Sequence, residues 1–144
     1  MFRGTFEHSI DEKGRTSLPS KFRELLSAAS DEALVVTHGP DRALWCMPPS
    51  TWAEVERKFG ELPQFDPEVL MLGRGFIAPA QDVSFDRLGR LVIPPLLRTH
   101  AGLNGDIVWV GQTKRFELWS AEQWNKAKPD HVDVFKLAAK YNIV

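Results

Sequence analysis

The stretch Asp11-Glu12-Lys13-Gly14-Arg15-Thr16-Ser17-Leu18-Pro19-Ser20-Lys21-Phe22-Arg23 returns 75 residues later as Asp86-Arg87-Leu88-Gly89-Arg90-Leu91-Val92-Ile93-Pro94-Pro95-Leu96-Leu97-Arg98. Five of the thirteen positions are identical (Asp, Gly, Arg, Pro and Arg), where chance would give roughly one. The shared residues are turn and cap types, which have a geometric reason to recur. Asp11 and Asp86 can accept hydrogen bonds from turn amides, and Gly14 and Gly89 can supply the positive φ that a tight loop needs. Pro19 and Pro94 stand where a helix can begin without losing a backbone hydrogen bond.

Working outward, each copy reads alike. An alternating strand (Thr5 to Ile10; Gln81 to Phe85) enters the turn and a second strand (Arg15 to Leu18; Arg90 to Ile93) leaves it, so each loop is expected at the tip of a hairpin. A short helix follows, given an apolar side by Phe22, Leu25 and Leu26 in one copy and by Leu96 and Leu97 in the other. A further hairpin comes next: Ala33 to Thr37 with Ala43 to Met47, then Ile107 to Val110 with Phe116 to Trp119. With a one-residue slip, Leu34, Val36, Leu44 and Trp45 align with Val108, Val110, Leu118 and Trp119, extending the repeat to about 40 residues per copy. The expected divisions are repeat 1 at 5–50, a helical connector at 51–78, repeat 2 at 79–122 and a helical tail at 123–144. In the connector, Trp52, Val55 and Phe59 fall on one side of a helix, and the Leu62 to Pro67 segment breaks it before another helix opens at Pro67. The tail reads as a helix, a break near Pro129-Asp130, and a second amphipathic helix.

The bulk properties set limits. The chain has 144 residues, 43% of them hydrophobic, enough for one ordinary core. With 18 Lys plus Arg against 19 Asp plus Glu, the formal charge is -1, so bulk basicity does not announce a nucleic-acid partner. The single cysteine, Cys46, lies in an apolar run and is expected to be a buried bystander in a reducing cytoplasm. No apolar stretch approaches the ~18 residues of a membrane span, and the N-terminus has no apolar signal region. No cofactor is expected, because His8, His38, His100, His131 and Cys46 lack metal-ligand spacing. Nor is catalysis: His8, Ser9 and Asp11 are neighbours, but strand alternation sends adjacent side chains to opposite faces. Gly73-Arg74-Gly75 lacks the third glycine of a dinucleotide loop and reads as helix-end packing, and the five tryptophans read as core or subunit contacts.

Two arginines carry the chemistry. Arg15 and Arg90 each follow an aspartate by four residues across a tight turn, so the carboxylate can fix the guanidinium before any ligand arrives. A preorganised guanidinium suits phosphate or guanine recognition, since its planar fork of donors matches both. For one copy alone, a purely structural Asp/Arg pair that stabilises its turn is the better explanation. Duplication, with the flanking prolines and with Arg23 and Arg98 downstream, brings a pair of contacts to a duplex level with that structural reading.

The chain strongly resembles the MraZ family over about 120 residues, in the opening Met1-Phe2-Arg3-Gly4, in Asp11 to Arg15 with Leu18 to Arg23, in Asp86 to Pro95, and in Phe116-Glu117-Leu118-Trp119. The resemblance implies a β-rich α+β fold, a tandem SpoVT/AbrB-type swapped-hairpin β-barrel with short peripheral helices. It also implies a transcriptional regulator that binds repeated DNA elements upstream of its own division and cell-wall gene cluster. The protein would be cytoplasmic and nucleoid-associated, and would form a ring-shaped homo-oligomer. The family's D-x-x-x-R motifs contact DNA, which carries over to Asp11 with Arg15 and to Asp86 with Arg90. Lys13 and Arg87 in the same loops, and Arg3, become candidate phosphate contacts. Thr16 departs from the pattern, being polar where the family is usually apolar, and Leu88 stands where a basic residue would be more useful. Double-stranded DNA and further copies of the chain are thus the expected partners, with no membrane and no small-molecule substrate. Two other readings stay open: an antitoxin-like regulator on the same fold, and an assembly protein whose arginines bind protein carboxylates.

Overall fold

In the computed structural model, which describes residues 1–29 and 32–144, the Asp11 to Arg15 turn closes as its residues dictate, but its two arms then part. Gly14 N–H donates to the Asp11 carbonyl at 3.0 Å, and Asp11 N–H to the Arg15 carbonyl at 3.1 Å. Beyond that closure β1 (Thr5–Ile10) pairs with β7 (Gly105–Gln112), whereas β2 (Arg15–Ser17) pairs with β6 (Arg90–Val92). The second copy mirrors this: β5 (Gln81–Ser84) pairs with β3 (Ala33–His38). The expected loop hairpins are therefore corrected. Each copy's first strand joins the other copy's long hairpin, and the two second strands join each other.

The hairpins β3/β4 (β4, Leu44–Met47) and β7/β8 (β8, Arg115–Ser120) form as expected and meet along β4 and β8. The result is a six-stranded sheet in the order β1-β7-β8-β4-β3-β5 plus a separate two-stranded ribbon, β2-β6. The expected closed barrel is not made: β1 and β5 are the sheet's edges, and β2 and β6 spend their ladder bonds on each other. Single contacts tie the ribbon to β1 instead, with Thr16 Oγ1 donating to the Ser9 carbonyl at 2.7 Å and His8 Nδ1 lying 2.8 Å from the Ser17 carbonyl.

Exchanging the copies maps this strand order onto itself, β1 with β5, β7 with β3 and β8 with β4. Thr16 opposes Leu91 at the centre of the ribbon and Trp45 opposes Glu117 at the centre of the sheet, so an approximate twofold axis runs through both pairs. This symmetry corrects the outer part of the repeat. Phe6 faces Trp109 and His8 faces Ile107, while Gln81 faces Val36 and Val83 faces Leu34. Leu34 and Val36 thus correspond to Ile107 and Trp109, all four in the main core, and not to Val108 and Val110, which face the other way. Leu44 and Leu118 are partners across β4 and β8, not equivalents.

The helices cover the two sides of the sheet. α1 (Ser20–Ala28) and α4 (Pro95–Ala101) each start directly after their copy's proline, which occupies the cap position. They close the main core between sheet and ribbon, where Phe22, fully buried, meets Phe2, Phe6 and Phe116 at ring separations of 5.4, 5.3 and 4.6 Å. A side chain of that size contributes roughly 1.5–3 kcal/mol on burial. On the opposite face of the sheet, Val35, Trp45 and Met47 pack against Trp52 and Val55 of α2 (Pro49–Gly60) and against Phe76 and Ile77 in the π-helical turn that extends α3 (Pro67–Leu72). In that turn Gly73 lets Phe59 approach, since a Cβ there would lie 3.0 Å from the ring. α5 (Ala121–Ala127) packs through Trp124 on Trp119, whereas α6 (His131–Lys140) buries none of its residues. No helix among the described residues is long and apolar enough to cross a membrane.

Candidate nucleic-acid interface

The two loops are near copies at atomic detail. Asp11 Oδ1 accepts from the Lys13 and Arg15 amides at 3.0 and 2.8 Å, and its Oδ2 accepts from Arg15 Nε at 2.6 Å. Asp86 Oδ1 accepts from the Leu88 and Arg90 amides, both at 2.9 Å, and its Oδ2 from Arg90 Nε at 2.6 Å. One carboxylate thus shapes the turn with one oxygen and aims the arginine with the other. The backbone amide of Arg15 or Arg90 holds each carboxyl below the ordinary carboxylate range, followed by its guanidinium, while the slight desolvation opposes. Both carboxylates are therefore charged at neutral pH.

Because only Nε is engaged, the terminal Nη groups of Arg15 and Arg90 have no hydrogen-bond partner among the described residues. Their side chains are 65% and 69% exposed. An exposed ion pair of this kind adds little stability. What it does is restrict direction: a guanidinium held at one edge presents its other donors outward in a fixed plane.

The ribbon places the two arginines together. Arg15 opposes Val92 and Ser17 opposes Arg90, so by strand alternation Arg15, Ser17, Arg90 and Val92 share one face and Thr16 and Leu91 the other. Leu91 is buried in the main core, which sends the arginine face to solvent. Thr16, polar where its counterpart is apolar, is satisfied by the Ser9 carbonyl. On ladder geometry Arg15 and Arg90 are diagonal neighbours with Cα atoms about 7–8 Å apart. Both line one open groove of about 830 Å³ with Glu7, His8 and Asp11.

The other named residues divide. Lys13 and Arg87 are exposed in the loops beside the arginines. Gly14 and Gly89 have φ of +83° and +80° and are buried, as their place in the turn requires. Arg3 is not brought to this face. It precedes β1, next to the Phe2–Thr113 bridge, at the end of the strand remote from Asp11, about 25 Å along an extended chain. The acidic residues are divided: Glu54 and Glu56 lie on α2, behind the sheet, with Glu54 and Glu61 paired with Arg57 at 2.7 and 2.6 Å, whereas Glu7 and Asp11 line the arginine groove and Glu12 is exposed in the first loop. The first loop is itself balanced, Asp11 and Glu12 against Lys13 and Arg15, while the second carries one net positive charge, Asp86 against Arg87 and Arg90.

Sequence reasoning missed one cluster, the stacked imidazoles of His38 and His100, 3.8 Å apart and 8° from parallel. They come from β3 of one copy and α4 of the other, and nothing in their local sequence signals the contact.

A family model described as "MraZ protein, putative antitoxin-like" matches residues 1–75 and again 76–133, so that two matches cover nearly the whole chain. The chain belongs to the MraZ family. It is 42% identical over 125 residues to a protein of Nitrosospira multiformis named "Transcriptional regulator MraZ", covering 87% of this chain and 85% of the relative. The protein of that name from Coxiella burnetii is 40% identical over 131 residues, covering 90% and 86%. One from Hydrogenovibrio crunogenus is 36% identical over 136 residues, covering 92% and 88%. The family match ends at residue 133, which leaves most of α6 outside it.

Proposed function

We propose that this MraZ-family chain is a transcriptional regulator that binds double-stranded DNA through the exposed face of the β2/β6 ribbon, with Arg15 and Arg90 reading the duplex. One observation carries the reading. Two equivalent loops each hold an arginine by its Nε alone and leave its outer donors free, side by side on one antiparallel ribbon. The major groove of B-DNA admits a two-stranded ribbon, and an arginine fork matches guanine O6 and N7 or a phosphate. Lys13 and Arg87 then serve as phosphate contacts flanking the ribbon, while Arg3 is left for contacts elsewhere on the assembly.

The finer reading is that of a tandem SpoVT/AbrB swapped-hairpin unit, with repeat 1 at 5–50, repeat 2 at 79–122 and helical segments between and after them. It acts in the cytoplasm, at the nucleoid, on repeated elements upstream of its own division and cell-wall gene cluster, as a ring of copies. A ring answers the formal charge of -1, because several loop pairs on one face multiply weak contacts without a basic monomer.

Fluorescence anisotropy tests this on the duplex upstream of the protein's own gene against a scrambled duplex, at two salt concentrations, for wild type and Arg15→Ala/Arg90→Ala. Preference for the upstream duplex, weakening with salt and lost in a double variant of unchanged oligomer size, supports DNA recognition by the loop arginines. Equal binding by the double variant, or no binding of either duplex at low salt, refutes it and favours an assembly protein whose arginines bind carboxylates.

A further inference from the structure

The Asp11–Arg15 loop is not built by its own copy alone. Gly14 is buried against the second copy: its carbonyl accepts from Ile93 N–H at 2.8 Å, and a Cβ at Gly14 would lie 2.6 Å from the Ile93 carbonyl oxygen and 2.8 Å from Arg98 Nε. Arg98, on α4, also donates from Nη1 to the Glu12 carbonyl at 2.8 Å, 86 residues away in sequence. Its Nε is enclosed and has no acceptor among the described residues. The place of Arg98 is explained by what it touches, the backbone of the turn that ends in Arg15.

The symmetry-related arginine does less. Arg23, on α1, lies under the second loop with Cδ 3.3 Å from where a Gly89 Cβ would stand, but it makes no side-chain hydrogen bond among the described residues. Each loop is tied to the other copy by one backbone bond, Ile93 N–H to the Gly14 carbonyl and Leu18 N–H to the Gly89 carbonyl at 2.9 Å, but only the first gains an arginine side-chain bond as well.

We propose that Arg98 is a positioning residue for Arg15: from the second sequence copy it fixes the Glu12–Gly14 backbone of the first, and so the direction in which Arg15 meets DNA. This rests on the DNA-binding reading of Arg15. Arg98 need not touch the duplex. Its effect is on one loop only, which separates it both from a phosphate contact and from a general stabiliser.

The test uses the full chain and the same anisotropy assay with Arg98→Ala, Arg98→Lys, Arg23→Ala and Arg15→Ala, together with amide hydrogen exchange and urea unfolding. Loss of one hydrogen bond to a backbone carbonyl corresponds to about three- to tenfold weaker binding of the upstream duplex by Arg98→Ala. The expected pattern adds an unchanged salt slope, faster exchange confined to residues 12–15, partial recovery in Arg98→Lys, and less than about a twofold effect in Arg23→Ala. A salt slope reduced by about one in Arg98→Ala would make Arg98 a phosphate contact and overturn the proposal. Faster exchange throughout the core, with binding lost in step with the urea midpoint, would reduce it to a stabiliser and also overturn it. If Arg15→Ala binds like wild type, the DNA-binding reading itself has failed. If Arg15→Ala loses binding while Arg98→Ala binds and exchanges like wild type, only the positioning role has failed.

Discussion

Gly14→Ala and Gly89→Ala place the same methyl group at equivalent points of the two loops, and their difference measures how tightly each loop is closed by the other copy. Both glycines have φ near +80°, a conformation that costs an L-residue about 1–2 kcal/mol. At Gly89 that is nearly the whole cost, because the nearest atoms to the added Cβ are Arg23 Cδ at 3.3 Å, which can yield, and the Leu18 carbonyl oxygen at 3.4 Å. At Gly14 the Cβ would stand 2.6 Å from a backbone carbonyl oxygen and under 3 Å from two Arg98 atoms, so ribbon or helix must shift. Forced repacking of that kind adds about 1–3 kcal/mol. Gly89→Ala should therefore lose about 1–2 kcal/mol and Gly14→Ala about 2–5. With a slope near 2 kcal/mol per molar, this becomes urea midpoints lowered by about 0.5–1 M and about 1–2.5 M. The assay is urea unfolding followed by tryptophan fluorescence, at one protein concentration because any assembly makes midpoints concentration-dependent. Combining Gly14→Ala with Arg98→Ala should recover part of the loss and no more, since the Ile93 carbonyl remains. Equal midpoint losses for the two single variants, or full recovery in the combination, would refute the account of how the first loop is closed.

Two further outcomes follow from burial. Desolvation, followed by the charge of His100, pushes the His38 imidazole below its ordinary value, while Arg74 lines the same cleft as a further positive group. The unfolded chain then takes up a proton before the folded one. Stability is full above about pH 6.5 and declines as pH falls below it, so the urea midpoint should drop from pH 8 to 5.5 in wild type and drop less in His38→Gln; identical pH dependence in both would refute this. Burial, and secondly the charge of Glu117, pushes the Cys46 thiol far up, so a disulfide reagent should leave the native protein unlabelled for hours and label it at once in urea. Rapid stoichiometric labelling under native conditions would contradict the buried site.

How much of this was legible depended on the range of the interaction that decides each feature. The turns at Asp11 and Asp86 are shaped by bonds spanning two to four residues, which the sequence states, whereas the bonds that brace them from the other copy are not local. The helix starts after Pro19 and Pro94 and the hairpins β3/β4 and β7/β8 are local in the same sense as the turns. Partner choice beyond the loops is different. Alternation tells which face a strand buries but not which strand lies beside it, so β1 and β2 read as one hairpin although they belong to different ladders. The repeat alignment failed for a related reason: a slip of one residue in β3 exchanges core for opposite face, and Val108 or Val110 is as apolar as Ile107 or Trp109. The His38–His100 stack and the Arg98–Glu12 bond join residues 62 and 86 positions apart in different copies, where no local pattern can announce them.

These cross-copy bonds bear on why the two units share one chain. The first loop is closed by Ile93 and Arg98, and the second by Leu18, whose N–H donates to the Gly89 carbonyl at 2.9 Å, with Arg23 beneath it. Neither copy holds both sides of its own loop. A single copy folding alone would leave its first strand without β7 or β3 beside it and its second without the ribbon partner, a set of open edges that only another copy can fill. Covalent linkage makes that pairing independent of concentration. It also frees the copies to differ, and they do so within the loops: Lys13 against Leu88, Glu12 against Arg87, and a hydrogen-bonded Arg98 against a merely packed Arg23. Asp, Gly and Arg are the same in both, because turn and guanidinium aim depend on them. The residues between are not under that constraint, so the two loops can share one way of holding an arginine while presenting different charges beside it.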